Sequence, residues 1–339
     1  MSIFTSSKSS KSVDEQPAAE SPATVRSRRS VIDLVADYSL PAILVLLVIV
    51  FSVLAPDTFA TVANMKTILA SNSVVAILAL GALIPLVVGQ FDLSVGANLG
   101  LSAILCTGLA SKFGMGAFES ISLAILASTL VGLINGILVA RGKIDAFVTT
   151  LGVSVLVTGG VVWFSDGQTF ASNIPKSLTD LGQQQWLGVP APVYVLAAVV
   201  LVAFYVLNAT PLGRYLYAVG GSKEASRLSG LNVPMLTILA FAGSGLLAGL
   251  AGVLQSAQLG AGNPAVGPPF LLPAFAGAFL GATAFKRGAF NVLGTVTAVF
   301  TIAVGINGLI AIGAPYFVEP IFTGVALIIA ALFSRALKK

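Results

Sequence analysis

Few residues of this chain have the type and spacing for chemistry. Its 339 residues contain no histidine and one cysteine, Cys106. A His/Cys metal site and a disulfide within the chain are therefore excluded. Acids do not cluster inside apolar stretches as an embedded enzyme would need, so the catalytic and metal-ligating sets read as none. No Gly-x4-Gly-Lys-Ser/Thr loop occurs, so the chain does not hydrolyse ATP itself and is expected to bind no cofactor. Two polar constellations remain, one within Gly89–Asn98 and one within Ser222–Gly230.

In the first, Gln90, Asp92, Ser94 and Asn98 stand beside glycines in otherwise apolar sequence. That composition suits a broken helix whose backbone turns beside a solute route. Asp92 either contributes to a polar wall or caps the following helix, and it is expected at the helix mouth rather than as a buried relay. Asn135 and Asn307 stand mid-helix beside glycine; each bridges helices by a hydrogen bond of about 1 kcal/mol or faces the route. Thr149 and Thr150 are expected to bond back to preceding helical carbonyls. Asn263 precedes Pro264, and Pro268, Pro269 and Pro273 follow, so the chain there forms a gate or a kinked connection rather than continuous helix.

In the second, Ser222 is placed to cap a short helix of Lys223, Glu224, Ala225, Ser226 and Arg227. Glu224 falls in the first turn, where a carboxylate suits the dipole, and Gly230 terminates it. Two turns are marginal alone. The element is either a surface loop or a helix that docks on a partner.

The elements that must hold these residues are set by lipid. Apolar residues make up 56% of the chain and charged residues only 9%, with a mean hydropathy of +0.97. Such a balance fits a membrane rather than water. Charge-free stretches of roughly 20 residues, the length that crosses the hydrocarbon core, are separated by polar punctuation. Ten spans are read: 40–54, 71–88, 93–109, 118–140, 147–164, 193–207, 235–257, 270–285, 290–312 and 317–333. With both termini inside, only Lys66, Lys112 and Lys176 fall outside and all other Lys and Arg fall inside, as the positive-inside rule requires. The net charge of +5 thus marks topology and not a nucleic-acid patch. Residues 1–36 are polar and Ser-rich and read as a disordered cytoplasmic tail before a membrane domain of residues 37–339.

Two short echoes recur five spans apart. Gly96-Ala97-Asn98-Leu99-Gly100 echoes Gly277-Ala278-Phe279-Leu280-Gly281, and Val131-Gly132-Leu133-Ile134-Asn135-Gly136 echoes Val304-Gly305-Ile306-Asn307-Gly308. An odd separation reverses direction, so spans two to five and seven to ten read as an inverted repeat of the kind found in alternating-access transporters. Small residues that allow close helix packing would produce the same echoes.

The loop carrying Glu224-Ala225-Ser226 and Gly230 resembles the Glu-Ala-Ala-x3-Gly motif of permeases of ATP-binding-cassette importers. FDLSVGANLG after Gly89-Gln90, NGILVARGKIDAFVTTLG from Asn135 and TPLGRYLYAVGGSKEASRLSGLNV from Thr210 are similar to the permeases for ribose and related monosaccharides. The resemblance runs from about Leu40 to the C-terminus. Gln90 and Phe91 replace a Gly and an Ile of the family signature, and FLLPAFAGAFLGATAFKRGAF replaces a segment with acids. The resemblance implies an all-α ten-span fold in the bacterial cytoplasmic membrane. It also implies two permease chains per complex, a cytoplasmic ATPase carrying ATP and magnesium, and an extracytoplasmic solute-binding protein. In that frame Ser222–Gly230 couples to the ATPase, and the Ser165–Gly188 loop either meets the binding protein or is a solvated connection. A self-sufficient carrier or facilitator is the other reading.

Overall fold

The computed structural model describes residues 37–286 and 288–336, together with Ser2. The rest of the expected tail lies outside these residues, as do Arg287, Lys338 and Lys339. The described chain forms α1 (Ser39–Leu54), α2 (Val62–Val87), α3 (Val95–Phe113), α4 (Ala117–Ala140), α5 (Ala146–Ser165) and α6 (Lys176–Gln183). A hairpin of β1 (Gln185–Trp186) and β2 (Val189–Pro190) follows. Then come α7 (Ala191–Ala209), α8 (Pro211–Gly221), α9 (Lys223–Leu228), α10 (Val233–Leu259), a 3-10 turn (Pro268–Phe270), α11 (Leu271–Gly281), α12 (Val292–Ala311) and α13 (Val318–Ala336).

Helix starts follow from local chemistry. The side chains of Thr61, Asp145, Thr210, Asn232 and Asn291 each accept a backbone N–H of the first turn that they open, supplying the partner that helical geometry leaves missing. Six helices, α2, α4, α5, α7, α10 and α12, are long and apolar enough to cross a membrane. Three other apolar helical stretches are shorter: Ser39–Leu54, Pro268–Gly281 and Val318–Leu332. The protein is an all-α, multi-pass membrane protein.

The most buried of the six are α10 and α2. α10 lies against α4, α3 and α2, while α2 also lies against α11 and α12. α3 packs on α4 and α5, and α11 packs on α12 and α13. The main core joins the second half of α2 to Leu247, Ala248, Ala251 and Leu254 of α10, Phe275 of α11 and Val299 of α12. By contrast α5 exposes Val155, Leu156 and Trp163, as suits a surface solvated by lipid tails.

Contacts sort the polar connections into two ends. At one end Lys66 Nζ donates to Gln185 Oε1 at 2.9 Å, Lys112 Nζ donates to the Phe164 carbonyl at 2.8 Å, and Phe170 exchanges backbone hydrogen bonds with Gly262. At the other, Lys286 Nζ donates to Asn208 Oδ1 at 2.7 Å and Phe285 N donates to the Asp37 carbonyl. The 165–188 connection is not an open solvated loop. Leu178 of α6 is fully buried against Cys106, Ala257 and their neighbours, so the amphipathic helix folds back over the end of α10.

Candidate functional site

The first constellation is a helix break. Pro85 lies in the last turn of α2, and Gly89 takes a left-handed backbone, φ +72°, which glycine adopts without a Cβ clash. Gln90 N donates to the Pro85 carbonyl at 2.9 Å. Asp92 then turns inward and is 1% exposed. Its Oδ1 accepts Ser94 Oγ at 2.6 Å and Ser94 N at 3.0 Å; its Oδ2 accepts Ser244 Oγ of α10 at 2.8 Å. Asp92 thus stands at the mouth of α3, as its sequence position suggests, but it is buried there rather than open. α10 crosses the break and covers the carboxylate, and hydroxyl donors supply the partners that burial demands.

Asn135 of α4 extends this network, its Nδ2 donating to Ser94 Oγ at 2.8 Å. Asn98 is buried one turn along, its Nδ2 donating to the Ser128 carbonyl at 2.9 Å. Asn135 Oδ1 and Asn98 Oδ1 are buried without a hydrogen-bond partner among the described residues. Thr149 and Thr150 bond back to Asp145 and Ala146 as expected, but Thr150 Oγ1 also accepts Leu93 N at 3.0 Å and so fastens α5 to the break.

The other polar candidates lie elsewhere. Asn307 forms a reciprocal amide pair with Asn64 of α2, at 2.9 and 3.2 Å. Asn263 Oδ1 accepts Ala265 N at 2.8 Å and stabilises an exposed turn before the 3-10 element. Sequence reasoning missed Ser244, Ser128 and Asn64. Their only signal is a small polar side chain in an apolar helix, which marks many residues that merely bond their own backbone.

The second constellation forms as its sequence suggests. Ser222 Oγ accepts Ala225 N at 3.2 Å. Glu224 Oε1 accepts Arg227 Nη2 at 2.6 Å, and that hydrogen bond, then the guanidinium charge, holds the exposed carboxyl below its ordinary range. Ser226 faces inward, and Gly230, φ +83°, reverses the chain so that Leu231 N caps the Ser226 carbonyl at 3.0 Å. Lys223, Glu224, Ala225 and Arg227 stay exposed on a helix anchored at both ends.

What joins the two constellations is α8. Gly220 lies so close to the Val87 carbonyl that a Cβ there would overlap it. Tyr217 Oη donates to the Phe290 carbonyl at 2.6 Å, just before α12. Gln90 and Lys223 line one small cavity of about 170 Å³, with Val139, Ala140, Val233 and Thr237. The exposed α9 is thus joined, through α8, to the end of α2 and to the segment that leads into α12.

Comparison with known proteins decides the family. Residues 64–331 match the family described as the branched-chain amino acid transport system permease component. The chain belongs to this permease family. It is 34% identical over 303 residues to the ribose import permease protein RbsC of Escherichia coli (strain K12), covering 88% of this chain and 93% of that one. It is 33% identical over 292 residues to RbsC of Haemophilus influenzae, covering 85% and 90%. The L-arabinose transport system permease protein AraH of E. coli is 30% identical over 306 residues, covering 89% and 91%. No solved structure matches the permease. The resemblance to importer permeases carried by the Glu224 loop and the Gly89–Gly100 segment is borne out.

Proposed function

We propose that this permease is the membrane subunit of an ATP-driven importer for a small sugar or sugar-like solute. ATP and magnesium act on a separate cytoplasmic ATPase, an extracytoplasmic binding protein delivers the solute, and two identical permease chains enclose the route. The chain would cross the bacterial cytoplasmic membrane ten times with both termini on the cytoplasmic side. The relatives' names supply the sugar class.

An inverted repeat of α2–α5 and α10–α13 accounts for the packing. α10 lies on α3 and α4 as α2 lies on α11 and α12, and α3 meets α4 and α5 as α11 meets α12 and α13. Two crossed halves of this kind can rock about a shared midplane. Gln90, Asp92, Ser94, Asn98 and Asn135 would stand beside the moving break, with Asn263 and Asn307 toward the outer gate.

The observation that carries the reading is the exposed, capped α9 with α8 wedged on the end of α2. A nucleotide-driven closure of the ATPase would act on Lys223–Arg227 and reach the Gly89–Ser94 break through Gly220 and Val87. The ATPase shifts the equilibrium by binding one permease state better than the other. The test is co-purification of an ATPase with tagged permease from native membranes. The wild type is expected to retain it and a Glu224→Arg, Gly230→Pro variant to lose it while still inserting. No ATPase with either protein would favour a facilitator, which would then transport alone in proteoliposomes.

A further inference from the structure

Resting on the sugar-importer reading, we propose that a cavity between α2, α10, α12 and α13 is a binding site for an uncharged, hydroxyl-rich solute. Its volume is about 530 Å³, within the ~300–1,000 Å³ of small-molecule sites. Asn72, Gln255, Gln258 and Glu319 line it, with Phe270 on one wall. A smaller recess of about 170 Å³ shares Asn72, Phe270 and Glu319 and continues to Thr323, one turn further along α13.

The polar atoms are unevenly spent. Asn72 Nδ2 is committed to the Ile68 carbonyl at 2.8 Å, and Gln258 Nε2 to the Ala70 carbonyl at 2.8 Å. Each amide therefore turns its oxygen to further donors. Gln255 has no side-chain hydrogen bond among the described residues, and Glu319 has no ion pair among them. Asn72 and Gln258 also keep a second N–H each, and Ser71 and Asn307 line the same space, so the cavity offers acceptors and donors together. Hydroxyl groups donate to such acceptors, and the C–H face of a sugar ring packs on an aromatic wall.

Charge narrows the class further. No Lys or Arg lines either part of the cavity, so a carboxylate or phosphate would meet Glu319 with no cation to offset it. Among sugars this disfavours phosphorylated and acidic forms and leaves the neutral polyol as the class that fits. Another cavity of about 350 Å³, beside α7, α8 and α10, is lined by aliphatic side chains and Gly243; it has nothing to orient a hydroxyl.

The test uses cells carrying the full importer. Uptake of labelled D-ribose, L-arabinose and D-allose is measured for wild type, Gln255→Leu and the near-isosteric Glu319→Gln, with ATPase co-purification measured alongside. Wild type is expected to take up at least one sugar. Each variant should lower that uptake about tenfold, the worth of a lost hydrogen bond or two, keep the ATPase and change the order of preference among the sugars. Uptake unchanged in rate and order in both variants would overturn the site while leaving the importer reading intact. Loss of the ATPase together with uptake in Glu319→Gln would make its role structural and overturn it equally. Wild-type cells that take up none of the three would overturn the sugar reading and this site with it.

Discussion

Ser244 in α10 holds Asp92 across the helix break, hydroxyl to carboxylate, at 2.8 Å. The two lie 152 positions apart in sequence, so this one bond ties the break in the first half of the chain to the central helix of the second. Asp92→Ala removes the acceptor for three donors and strands two buried hydroxyls and an N–H. Ser244→Ala removes one donor, at about 1–3 kcal/mol. Asp92→Asn keeps the shape, and Ser244 can rotate to accept from the new amide. Melting temperatures in detergent should fall most for Asp92→Ala, less for Ser244→Ala and least for Asp92→Asn. An alanine at position 92 that melts like wild type would refute the network's role.

Gly220 and Gly221 form a built-in control. A Cβ at Gly220 overlaps the Val87 carbonyl, whereas one at Gly221 meets nothing within 4 Å. Gly220→Ala should push α8 off α2, destabilise by about 1–3 kcal/mol and reduce uptake. Gly221→Ala should leave melting and uptake near wild type. Equal effects would show that the contact does not transmit force.

For α9 the expected losses are in coupling, because the helix is short and exposed. Ser222→Ala removes the cap, worth about 1 kcal/mol locally, and Gly230→Ala strains a left-handed turn by about 1–2 kcal/mol. Both should weaken ATPase co-purification with little change in global melting. The Glu224 carboxyl is held below its ordinary value of 4.5 by Arg227. Its ion pair is therefore complete above that value and is lost as pH falls through the depressed one. Titration of Glu224 should return to the ordinary range in Arg227→Gln.

Asn64 and Asn307 exchange hydrogen bonds between α2 and α12. Replacing Asn64 by Leu leaves Asn307 without its amide partner, replacing Asn307 leaves Asn64 with the Phe59 carbonyl alone, and replacing both removes the mismatch. A double-mutant cycle on melting should give a favourable coupling of about 0.5–1.5 kcal/mol. Additive single effects would mean that the pair contributes no mutual stabilisation.

How much could be read beforehand depends on how local each determinant is. The α9 cap, acid and terminator lie within nine residues, so sequence alone specifies them. The break before α3 is legible from Gly89 and the polar run that follows. The burial of Asp92 is not, because α10 imposes it from far along the chain. Nor is the polar cavity legible. Asn72, Gln255 and Glu319 come from three helices, and each in isolation looks like ordinary polar punctuation. The 165–188 segment misleads for the same reason: its amphipathic helix has meaning only once Cys106 and Ala257 are there to cover Leu178.

Where α4 meets α10, Gly132 and Gly245 face one another so closely that a Cβ on either would overlap the partner backbone. Backbone meets backbone at that point, with Phe241 of α10 packed on Val139 of α4 and Ser128 of α4 beside Gly249 of α10 to either side. The glycine pair lets the two axes approach closely enough for those side chains to interlock. The pair works as a hinge pin about which the interlocked side chains are registered, and a single methyl group at Gly132 or Gly245 would prise the two helices apart.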